Sequence, residues 1–111
     1  FRRVLFRSKG FNLDLMVDAI GGTRTPPYST EDIITIYESI KEIDLYWFEE
    51  PIDPDDLDGM NLLQNRLDVM FAGGEAYCGL GEFKNFINFS NFKVIQIDAS
   101  NRFKSHPAKE T

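Results

Sequence analysis

A chain of 111 residues with 42% hydrophobic and 14% aromatic content can bury one small core, so it is expected to fold rather than stay disordered. Its net charge of −6 argues against nucleic acid and against anionic membrane surfaces as partners. The single cysteine, Cys78, supports neither a disulfide nor a thiolate metal site and fits a reducing compartment, the cytoplasm. No apolar run approaches the roughly 18 residues of a membrane helix.

The chain starts "FRRVLFRSKG", with charges but without the apolar stretch of a signal peptide. Residues 1–8, FRRVLFRS, match letter for letter the translation of a sequencing adapter. They are expected to be non-native, with the natural protein extending upstream and residues 9–111 forming the part relevant to the fold.

From there the elements come in a regular order. LDLMVDA (13–19) is an apolar run ending in a carboxylate and reads as a buried strand. A loop rich in Gly, Pro, Thr and Ser follows. Thr30 then heads a helix through residue 44, with Thr30 as N-cap, Glu31 and Asp32 at its positive end, and Ile33, Ile34, Tyr37 and Ile40 on one stripe. LYWFEEP (45–51) is the second strand. Residues 53–67 form a second helix, opened by Pro54 and weakened at Gly59. VMFAGGE (69–75) is the third strand. Residues 79–89 form a third helix with Leu80, Phe83, Phe86 and Ile87 inward, and KVIQIDA (93–99) is the fourth strand. Strands alternating with helices imply right-handed crossovers and a parallel α/β sheet. Phe71, Phe83, Phe86, Phe89 and Phe92 read as core, and Tyr46, Tyr77 and Cys78 as packing or rim residues.

Each of the four strands ends in an acid: Asp18, Glu49, Glu75 and Asp98, at intervals of 31, 26 and 23 residues. Each interval is one strand–helix unit, so a parallel sheet collects all four at its C-terminal edge, where (β/α) barrels carry their active sites. Taken singly, each acid has an ordinary explanation. Asp18 and Asp98 could cap a following turn, Glu49 and Glu50 could pair with Arg or Lys at the core rim, and Glu75 could be solvated. Four in phase with the repeat are harder to explain that way. Converging carboxylates repel unless a cation sits among them, and oxygen-only ligands favour Mg²⁺.

LMVDA, WFEEP, AGGE and VIQIDAS, in this order and near these spacings, resemble the C-terminal barrel of the enolase superfamily in its mandelate racemase and muconate lactonizing enzyme branch. The resemblance covers roughly residues 9–100. It implies an arc of a (β/α)8 TIM barrel, with four parallel strands and three intervening helices. It implies Asp18, Glu49 and Glu75 as Mg²⁺ ligands, with Glu50 beside them orienting its neighbours rather than touching metal. Asp98 stands where the muconate-lactonizing side carries a lysine and the racemase side an aspartate paired with a histidine of the next strand. The resemblance therefore leans to racemases and sugar-acid dehydratases. These are Mg²⁺-dependent lyases or isomerases that abstract the proton α to the carboxylate of a small sugar acid through a metal-stabilised enediolate. Asp98 would orient the histidine base, and the full-length protein would be a homo-oligomer.

Two stretches depart from the family pattern. Ile20 stands where such enzymes usually have Asn, and SNRFKSHPAKET lacks the Gly-Gly pair that usually follows the last strand; a reading-frame slip or a divergent loop would explain it. His106 lies only eight residues beyond Asp98, without an intervening helix, and reads as an exposed loop histidine rather than the base. A full barrel has eight strands and about 250 residues. With four strands and two open edges, the 111-residue chain is expected to be marginally stable and inactive by itself. The alternative is a small, non-catalytic, acidic cation-binding module.

Overall fold

The computed structural model describes residues 13–21 and 23–100. The adapter-like segment 1–8, His106 and the divergent stretch after residue 100 lie outside the described residues. The elements are β1 (Met16–Asp18), α1 (Thr30–Ile40), a 3₁₀ turn (Lys41–Ile43), β2 (Trp47–Glu49), α2 (Leu57–Arg66), β3 (Met70–Gly73), α3 (Leu80–Phe89) and β4 (Val94–Ile95). The strands form one sheet in the order β1-β2-β3-β4, every pair parallel. Three helices over four sequentially adjacent parallel strands make an arc of a (β/α) barrel.

The order of elements follows the sequence pattern, while their ends depend on local hydrogen bonding. α1 is capped by Ser29 rather than Thr30: the Ser29 hydroxyl accepts the Asp32 N–H and the Asp32 carboxylate accepts the Ser29 N–H. This reciprocal pair satisfies two N–H groups of the first turn. α2 begins at Leu57 and not at Pro54, because Asp56 is the residue whose carboxylate accepts the Gly59 N–H. Gly59, a weak helix former, is needed there: a Cβ would sit 2.7 Å from Ile52 Cδ1.

The core lies between the sheet and the helices. Ile33 of α1, Met60 and Leu63 of α2 and Phe86 of α3 are buried against Phe48 and Phe71. Phe71 also stacks on Phe92 at 5.5 Å between ring centroids. Burying side chains of this size contributes roughly 1.5–3 kcal/mol each. Phe48 and Phe71 point to the helices, so Trp47 and Glu49 point to the opposite face, which becomes the interior of a barrel. Leu80, Ile87 and Phe89 were expected in the core but are 53%, 54% and 64% exposed. Leu80 and Ile87 lie together on one side of α3, while Phe89, half a turn round the helix from Leu80, stands at its C-terminal end, where Asn61 of α2 donates to its carbonyl. With Ile97 and Phe83, Leu80 and Ile87 line an apolar hollow of about 160 Å³.

α2 is also tied to β3 at the N-terminal end of the sheet. The Gln64 side-chain amide donates to Val69 O and accepts from Phe71 N, both at 2.9 Å, as a neighbouring strand would. Asn61 and Asn65 of α2 hold Asn91 ahead of β4.

Candidate metal centre

β1 and β2 pair with Asp18 opposite Glu49. Both side chains therefore stand on the same face at the last residue of their strands. Glu75 arrives differently. Glu49's partner on β3 is Ala72, and Glu75 lies two residues beyond the end of that strand. The chain returns through Gly74 at φ +118°, a conformation open to glycine and strained for other residues; a Cβ there would also lie 2.8 Å from the Gln96 carbonyl. The result is a cluster in which carboxylate oxygens of Asp18, Glu49 and Glu75 all lie within 4.8 Å of one another. Around an octahedral Mg²⁺, with ligands at about 2 Å, such oxygens lie within about 4 Å of each other, so small side-chain rotations would close the set.

Several groups hold the cluster in place. The Ile20 N–H donates to Asp18 Oδ1 at 2.8 Å. The Trp47 indole N–H donates to Glu49 Oε2 at 3.3 Å. Glu50 is 3% exposed; its Oε1 accepts the Gly74 N–H at 3.2 Å, and its Oε2 has no hydrogen-bond partner among the described residues. Its backbone is left-handed, φ 44°, and bridges the neighbouring strand ends: Glu50 N donates to Ala72 O and Glu50 O accepts from Gly21 N. Glu50 thus meets a backbone amide rather than an Arg or Lys, and it holds the turn from which Glu75 projects.

The electrostatics are those of crowded acids. Burial pushes Glu50 up from 4.5 to about 7, despite the Gly74 hydrogen bond, and Glu75, Asp18 and Glu49 add repulsion. Glu75 is raised as well, by burial and then by Glu49, Asp18 and Asp98. Asp98 is half-buried and outside the three-carboxylate cluster. Its Oδ1 accepts from both the N–H and the hydroxyl of Ser100, so the capping role open to it in the sequence is realised. A larger cleft of about 670 Å³, bordered by Asp14, Tyr46, Gln64, Asp68 and Lys93, opens at the opposite end of the sheet. It holds no part of the carboxylate cluster.

Ile20, the departure noted beside Asp18, sits at φ 56° and is 58% exposed. A β-branched side chain is strained there, whereas Asn tolerates this conformation. Ile20→Asn should therefore stabilise the chain by about 1 kcal/mol in denaturant unfolding. A loss of stability would show that Ile20 makes contacts worth more than the strain.

Sequence reading missed two contributors. Trp47 reads as an apolar wall residue, although the two-residue alternation of a strand places its donor on the same face as Glu49. Gly74 falls inside the stretch read as the third strand; its role depends on the positive φ that brings Glu75 back.

A parallel sheet that turns three carboxylates into one cluster at its C-terminal edge is an arc of a (β/α) barrel with a candidate cation site. A family profile described as enolase C-terminal domain-like matches residues 3–102, and the chain belongs to that family. The match takes in residues 3–8 of the adapter-like segment. A 3,6-anhydro-alpha-L-galactonate cycloisomerase from Streptomyces coelicolor is 30% identical over 92 residues, which are 83% of this chain and 24% of the relative. Among solved structures, a racemase from Streptomyces coelicolor A3(2) with bound magnesium superposes with a TM-score of 0.76 at 29% identity, over 91% of this chain and 29% of that one. L-talarate/galactarate dehydratase from Salmonella typhimurium LT2, liganded with Mg and L-lyxarohydroxamate, gives a TM-score of 0.74 at 28% identity, over 91% and 25%. The chain thus spans about a quarter of the length of these relatives. Among the described residues no helix is long and apolar enough to cross a membrane.

Proposed function

We propose that this chain supplies the metal-binding arc of a Mg²⁺-dependent sugar-acid dehydratase or racemase. The observation that carries the reading is the convergence of Asp18, Glu49 and Glu75 within 4.8 Å at the edge where barrel enzymes react. It is supported by the magnesium in the structures of two relatives and by their racemase and dehydratase activities. Asp18, Glu49 and Glu75 would hold the ion. Bound there, Mg²⁺ would supply Lewis-acid stabilisation of the charge that develops on a substrate carboxylate as its α-proton leaves. Glu50 keeps the Gly74 turn in place, so that Glu75 reaches the cluster. Asp98, three residues beyond the end of β4, would orient a histidine base supplied by a longer form of the protein and raise its basicity.

The test is exchange of the α-proton of aldonic and aldaric acids in D₂O by the full-length protein, followed by NMR. Mg²⁺-dependent exchange that chelation abolishes is the expected result; no exchange across a panel of sugar acids would overturn the reading. The 111-residue chain alone should show no turnover, because its described residues supply only four strands where a (β/α) barrel has eight.

A further inference from the structure

We propose that Trp47 is a positioning residue for the candidate metal centre, acting through Glu49. The inference rests on the metal-site reading above and deepens it.

Three observations carry it. The indole N–H is 3.3 Å from Glu49 Oε2. An indole nitrogen only donates, so this contact restrains the Glu49 carboxylate without competing for a cation. The ring is itself held: Trp47 is half-buried, in register with Met16 on one side and Met70 on the other, and flanked by Tyr46 at 5.4 Å between ring centroids. The layer beneath the carboxylates therefore consists of Met16, Trp47 and Met70, and Trp47 is the member that reaches up with a polar atom. A glutamate side chain has rotamer freedom to lose on binding. A donor fixed on the same strand face removes part of that freedom before the ion arrives, which lowers the cost of assembling the site.

The experiment uses the full-length protein with Mg²⁺ as the probe. Binding is measured by calorimetry for wild type, Trp47→Phe, Glu49→Gln and Met70→Leu, and the ¹⁵N-labelled indole resonance that Trp47→Phe deletes is followed during titration. Trp47→Phe should weaken Mg²⁺ binding about tenfold, and kcat should recover at saturating Mg²⁺. In wild type the Trp47 indole signal should shift as the site fills. Met70→Leu, which alters the same layer without touching the donor, should bind as wild type does. If Trp47→Phe does not fold, Trp47→Leu stands in, with the indole signal assigned through that variant.

Wild-type affinity in Trp47→Phe, or an indole signal indifferent to saturating Mg²⁺, overturns the role of Trp47 while leaving the metal site intact. An equal loss in Met70→Leu would assign the effect to packing and also overturn it. Absence of Mg²⁺ binding by wild type, or undiminished binding by Glu49→Gln, overturns the metal-site reading and this inference together.

Discussion

Glu49→Gln should reduce the Mg²⁺ affinity of the full-length protein by about a hundredfold or more, while raising the melting temperature measured in EDTA at pH 8. The two effects have one cause. Glu49 stands opposite Asp18 across β1 and β2, and an oxygen from each lies within 4.8 Å of one from Glu75. Without a cation these charges oppose one another: Glu75, raised first by burial, is raised further by Glu49 and Asp18. An amide removes one charge from the cluster, so the metal-free state is relieved. The same amide is a neutral and weaker ligand for a hard cation, whose affinity depends on the number of charged oxygens. Loss of a supporting neighbour typically costs 10–100-fold, and loss of a ligand should cost at least as much. Calorimetry and thermal unfolding with and without Mg²⁺ check both arms. Unchanged affinity would remove Glu49 from the ligand set; a lower melting temperature in EDTA would mean that the cluster is not repulsive.

The second large effect is on pH dependence, and Glu50 dominates it. Its carboxyl is raised from 4.5 to about 7, so in this range the folded state holds its proton more tightly than the unfolded chain does. A group raised on folding contributes most below its unfolded pKa and loses that contribution as pH climbs through its folded one. Metal-free stability should therefore fall between about pH 4.5 and 7 and level off above. Glu75 is shifted in the same direction and adds to the fall. Asp32 acts with the opposite sign: Ser29 holds it below 3.8, so its contribution is lost only in more acidic solution. Glu50→Gln should flatten most of the decline, and saturating Mg²⁺ should flatten what Glu75 contributes. Melting temperature against pH, in EDTA and in Mg²⁺, gives the answer. A wild-type stability that rises through this window would contradict the assignment.

Much of this was legible in the chain because the signal was periodic. Asp18, Glu49, Glu75 and Asp98 recur once per strand–helix unit, and a parallel sheet converts that spacing into nearness. What sequence could not supply was the route by which each acid arrives. Reading β3 as ending at Glu75 makes the residue look like a continuation of the ladder. In fact pairing stops at Gly73, and the backbone turns at Gly74. β4 pairs over only Val94 and Ile95, so Asp98 belongs to a turn capped through Ser100 rather than to a strand. Apolar pattern also overstated the core. Leu80, Ile87 and Phe89 have the right character for burial, but they stand on sides of α3 that the described elements leave exposed. Trp47 illustrates the opposite error: a large apolar ring hides a donor that matters only because of what stands two residues along.

The Gln64 amide sits at the far end of the sheet from the carboxylates, yet it constrains them. By spanning Val69 O and Phe71 N it identifies those two residues to α2. Sliding β3 by a single residue would break both bonds, turn Phe71 out of the aromatic cluster and offer Ala72 to the helices. Glu75 would move by about 3.3 Å and rotate off the shared face. The carboxylate cluster is therefore indexed from below: a neutral side chain works as the alignment pin that decides which residue after β3 can join it.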